Sequence, residues 1–127
     1  MTGVLFIGLI PAAVDFSDPA IPAGTTREQI AAGIEEALGD MRRRGWQAEF
    51  CGILPDASAE ATIADWLRKA RWDCIVIGAG VRMPTRNHEL LERVVNAVHR
   101  GAPQTPIAFN RRPEDTTAAA ARWLKPD

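Results

Sequence analysis

Arginines gather at two places where short apolar runs end. Arg82 and Arg86 follow Ile75-Val76-Ile77, and Arg111 and Arg112 follow Ile107-Ala108-Phe109. If those runs are strands that feed helices, all four side chains lie near helix amino termini, where partial positive charge already sits. Cations there are unfavourable, and a bound anion relieves the conflict while using free backbone donors. The chemistry implied is capture of a phosphate or carboxylate. The competing reading is solvated arginines paired with Asp15, Asp18, Glu114 or Asp115. Arg42, Arg43 and Arg44 differ, because they close a helix, where cations are favourable.

Gly78 and Gly80 sit directly behind the third apolar run and would let a ligand, or another stretch of backbone, approach closely. They do not make a dinucleotide fingerprint, which needs three glycines after the first strand and an acidic residue about 20 positions on. Asn110 follows the fourth run and would help shape the same pocket. Asp15 and Asp18 lie in a segment from Pro11 to about Gly24, longer than the roughly 2–6 residues usual between strand and helix. That segment reads as a lid or wall whose aspartates contact a ligand, or as a surface loop whose aspartates cap turns. Two aspartates without a third ligand do not make a metal site. His88, at the start of the third long helix, could act as a general acid or base with Asp15 or Asp18. No serine or cysteine follows the third strand to serve as its nucleophile, so a hydrolase or lyase is an alternative reading only.

The elements that must position these residues alternate. Val4 to Ile10, Trp46 to Ile53, Asp73 to Ile77 and Thr105 to Phe109 read as strands. Between them, Ile30, Ile34, Ala37, Leu38 and Met41, then Ile63, Trp66, Leu67 and Ala70, then Leu91, Val94, Val95 and Val98, recur at helical spacing. Thr25 and Glu28 are spaced as a capping box, Ser58 reads as a cap, and Gly45 and Gly101 as helix ends. Pro113 with Glu114 and Asp115 opens an alanine-rich helix that runs to about Leu124. The βαβαβαβα pattern predicts one α/β domain over residues 1–127, a three-layer sandwich with a four-stranded parallel sheet. Right-handed crossovers favour strand order 2-1-3-4, with the binding crevice at the carboxyl edge between strands one and three.

Asp73 to Ile77 followed by Val81-Arg82-Met83-Pro84, with the late Leu124-Lys125-Pro126, resembles response-regulator receiver domains in layout. The resemblance implies a flavodoxin-like (Rossmann-like) fold and, read as function, a non-catalytic protein-interaction module. The phosphorelay chemistry does not carry over. Gly78-Ala79-Gly80 stands where that family has its phosphoacceptor aspartate, Gly8-Leu9-Ile10-Pro11 where it has an acidic metal-binding pair, and Asn110 where it has a small hydroxyl residue. No fifth strand precedes Lys125-Pro126.

Composition narrows the field. Net charge is −1, so no global field attracts nucleic acid or an anionic membrane. No apolar run approaches a membrane span, and Met1-Thr2-Gly3 lacks the basic start of a signal peptide. Cys51 and Cys74 fall inside strands and read as buried, reduced thiols, which points to the cytoplasm. The expected protein is a small cytoplasmic binder of an anionic small molecule. Gly78, Gly80 and Asn110 shape the pocket, with Arg82, Arg111, Arg112 and Asp15 around the ligand. No reaction and no cofactor is assigned. Two open sheet edges and the apolar end Trp123-Leu124 suggest a homodimer.

Overall fold

A strand with helices on both faces has no side for water, so its sequence is apolar without alternation. The two most apolar runs accordingly occupy the middle of the sheet. The computed structural model describes residues 1–84 and 87–124; Arg86, Lys125 and Pro126 fall outside them. β1 (Gly3–Leu9), β2 (Gln47–Ile53), β3 (Cys74–Ile77) and β4 (Ile107–Phe109) form one sheet in the order β2-β1-β3-β4. Every pairing is parallel, with Ile7 beside both Cys51 and Ile77, and Ile77 beside Phe109. The strand order and parallel sense are those expected from the alternation.

Period-two alternation sorts the strand residues between two cores. Leu5, Ile7, Ile75 and Ile77 pack against α2 (Ala59–Lys69) and α4 (His88–Gly101). Val4, Phe6, Val76 and Ala108 pack against α1 (Arg27–Arg43) and α5 (Thr116–Ala121). The result is a three-layer, flavodoxin-like α/β sandwich. A single helical turn, α3 (Ala79–Arg82), lies at the carboxyl edge directly after β3. Among the described residues, no helix is long and apolar enough to cross a membrane.

Several boundaries shift from their expected places, each for a local reason. The capping box is Thr26 with Gln29, not Thr25 with Glu28. Thr26 Oγ1 accepts from the Gln29 N–H at 3.1 Å, and Gln29 Oε1 accepts from the Thr26 N–H at 2.8 Å. Thr25 is engaged one turn earlier, its N–H donating to the Pro22 carbonyl. Ser58 precedes α2 but its side chain caps nothing. Its N–H and hydroxyl both donate to Asp56 Oδ1 instead, and these bonds hold the Asp56 carboxyl below its ordinary pKa. β4 begins at Ile107 rather than Thr105, because the Thr105 hydroxyl donates to the Trp72 carbonyl and Pro106 has no N–H to add to a ladder. Gly45 ends the first helix as expected, at φ +87°, a left-handed conformation that glycine adopts without strain.

Cys51 and Cys74 are both fully buried and free. β1 lies between their strands, and the two side chains join cores on opposite faces of the sheet. Both separations exceed the reach of a disulfide.

Candidate functional site

Topology decides where this fold opens. The chain leaves β1 toward β2 on one side and leaves β3 toward β4 on the other, so the two connections diverge above the carboxyl edge. A cleft of about 1150 Å³ occupies that position. Its lining comes from segments distant in sequence. The end of β1 contributes Gly8, and the connection that follows contributes Asp15 and Asp18. Gly78 comes from just past β3 and Gly80 from α3, and Asn110, Arg111 and Arg112 from the turn after β4. The segment from residue 10 to 26 is therefore a wall of the cleft. A 3-10 turn at Pro11–Ala13 starts it. Asp15 then accepts from Ser17, and Asp18 from the Ala20 N–H at 2.8 Å, so both aspartates also tie the wall's own turns.

The floor and inner wall are apolar. Phe6 and Phe50, on the α1/α5 face, meet edge to face with centroids 5.3 Å apart. Ile30 and Ile34 line the cleft from α1. From the sequence, Ile30 and Ile34 read only as one face of a helix, and Phe6 and Phe50 only as strand residues; none of the four was brought to the site. The signal was present: Gly8 and Gly52 stand two residues after Phe6 and Phe50, on the same face of neighbouring strands. The absent side chain makes room for the ring: a Cβ at Gly8 would stand 3.2 Å from Phe50 Cε1.

Asn110 is the hinge pin of the polar side. It is 1% exposed, and its side chain joins the turn after β4 to the turn after β3. Oδ1 accepts from the Ala79 N–H at 2.8 Å, while Nδ2 donates to Thr116 Oγ1 at 2.9 Å. The Thr116 hydroxyl in turn donates to the Pro113 carbonyl at 2.7 Å. Asn110 therefore shapes the cleft through bonds that it already holds.

The arginines separate into two roles. Arg111 and Arg112 are exposed and line the cleft. Arg82 does not line it. Its Nη2 donates to the Asn110 carbonyl at 3.0 Å, and its guanidinium lies 5.7 Å from the centre of the Phe109 ring. From there it braces the turn that carries Arg111 and Arg112. Arg86 lies outside the described residues. The turn itself already holds an anion: the Asp115 carboxylate accepts from the Arg111 N–H at 3.1 Å and from the Arg112 N–H at 3.4 Å. Backbone donors expected to be open to a ligand there are thus occupied by the protein's own side chain.

His88 does not line the cleft either. Its Nε2 lies 3.0 Å from Glu92 Oε1, one turn further along α4, and its side chain is 79% exposed. Among the described residues no cluster of His, Cys, Asp and Glu is arranged to hold a metal ion. Among the described residues, the assembled site is a cleft with an apolar interior, two arginines and carboxylates on both sides. Compared with known proteins, the chain matches no family model, no curated protein and no solved structure.

Proposed function

We propose that this protein binds an anionic small molecule, a phosphate or a carboxylate, in the cleft at the carboxyl edge of the sheet. The observation that carries this reading is the convergence of Arg111 and Arg112 with Gly78, Gly80 and Asp15 on one cleft. A guanidinium at the mouth of an apolar recess meets an anion with less competition from water than one on an open surface. Arg82 serves the site from behind, by bracing the turn.

Thermal melting tests the reading. At matched ionic strength, acetate or phosphate is expected to raise the melting temperature above its value in chloride. Ligand at 100 times its Kd stabilises by about 2.7 kcal/mol, or roughly 10 °C for a domain of this size. The double variant Arg111→Ala/Arg112→Ala removes that response and keeps only the general stabilisation by excluded salts. If the double variant responds as the parent does, the arginines do not hold a ligand and the interaction-module reading takes first place.

Self-association belongs to the same proposal. The sheet ends in a three-residue edge strand, β4, whose last residue, Phe109, is 39% exposed, and Trp123, just past α5, is 56% exposed. Arg122 donates to the Phe109 carbonyl at 3.1 Å, which blunts the edge for strand pairing. Burial of the two rings is therefore the expected contact. Light scattering at high micromolar concentration should give a dimer mass; a monomer mass would count against it.

A further inference from the structure

We infer that the cleft selects an apolar monocarboxylate and discriminates against phosphates. This rests on the anion-binding reading and narrows its ligand class. Two independent features of the site support it.

The first is the shape and polarity of the interior. On the α1/α5 side the floor consists of ring edges and bare backbone. A Cβ at Gly8 would stand 3.2 Å from Phe50 Cε1, and one at Gly78 would stand 3.1 Å from Phe6 Cε1 and 3.2 Å from the Ile7 carbonyl oxygen. Ile30 and Ile34 line the same space from α1. A phenyl-sized body fits this chemistry, because it leaves no polar atom of its own buried without a partner. A small, fully polar anion would leave the floor unused.

The second is the state of the backbone donors. Protein sites for phosphate draw on several N–H groups that point at one anion. Here the Arg111 and Arg112 N–H groups are held by Asp115, and the Ala79 N–H by Asn110. At the start of α1, the Thr26 and Gln29 N–H groups bond each other's side chains. That leaves the exposed Arg111 and Arg112 as the cationic residues of the described lining; one guanidinium satisfies both oxygens of a carboxylate with parallel bonds, whereas a phosphate keeps a further oxygen for which these N–H groups are already taken.

The test is a set of ¹H–¹⁵N titrations of the whole chain at matched ionic strength, read at the amides of Gly8, Gly78 and Arg111. The probes are 3-phenylpropionate, acetate and phenyl phosphate. The expected result is that 3-phenylpropionate binds at least tenfold more tightly than either of the others. Ile30→Gln should bring its affinity to within threefold of that of acetate, and Arg111→Ala/Arg112→Ala should weaken it at least tenfold. Phenyl phosphate binding as tightly as 3-phenylpropionate, with both lost in the double-arginine variant, would overturn the carboxylate preference and leave the anion site standing. Acetate binding as tightly as 3-phenylpropionate would overturn the apolar body. If no probe shifts these amides, or the shifts persist unchanged without the two arginines, the anion-binding reading itself fails.

Discussion

Replacing Asn110 with Ala is expected to destabilise the protein by about 2–4 kcal/mol, among the larger effects open to a single polar substitution. The side chain is buried and makes two hydrogen bonds that join separate turns. Alanine takes the acceptor away from the Ala79 N–H, a part-buried donor at the start of α3, and a donor left so costs about 1–3 kcal/mol. It also removes the amide that orients the Thr116 hydroxyl, although that hydroxyl keeps its bond to Pro113. Urea unfolding should show a lower midpoint with an unchanged slope. The anion response should fall as well, because Asn110 sets the spacing between Gly78–Gly80 and Arg111–Arg112. A loss below 1 kcal/mol would mean that the two turns hold together without it.

The second large effect is alkaline. Burial pushes the Cys51 thiol from its ordinary value of 9.0 up to about 12, against a smaller opposing pull from Lys69. It pushes Cys74 up to about 11. The unfolded chain releases these protons near pH 9 and the native state does not, so above that pH the unfolded state binds fewer protons. Stability from this source is therefore complete below about pH 9 and is lost as pH rises toward 11 and 12. The slope is on the order of 1 kcal/mol per pH unit for each thiol. Urea midpoints measured at pH 8, 9 and 10 should fall more steeply for the parent than for a Cys51→Ala/Cys74→Ala variant, which carries every other titrating group. Parallel curves would show that the thiols contribute nothing. The same burial predicts that neither thiol reacts with a disulfide reagent until the protein unfolds, since the thiolate is the reactive form.

The layers of this protein were legible because burial on both faces leaves a local mark. Val4 to Ile7 and Cys74 to Ile77 are apolar without interruption, and only a central parallel strand needs that. Helical periodicity on either side then limits the strand order to few choices. The position of the cleft followed from the order, since a switch point is a property of topology and not of any side chain. The residues brought to it from the sequence were those near strand ends: Gly78, Gly80, Asn110, Arg111, Arg112 and Asp15 all line it.

What those residues do once assembled depended on distances that no spacing encodes. Arg82 and Arg111 look alike in sequence, each a few positions past a strand. Arg82 is one helical turn into α3 and reaches back to the Asn110 carbonyl, while Arg111 lies on the open side of its turn. Asp115 looked like a first-turn acid and proved to be the occupant of the backbone donors beside those arginines. His88 looked placed for catalysis, yet α4 carries it outward to pair with Glu92. Sequence by itself thus determined the fold, the sheet order and the edge at which the cleft opens, because hydrophobic periodicity is local and repeats along the chain. Tertiary structure alone decided which polar groups are already bonded to one another and which still face the cleft, because a hydrogen bond between turns 31 residues apart, as from Ala79 to Asn110, is specified only by the packed sheet that brings the turns together.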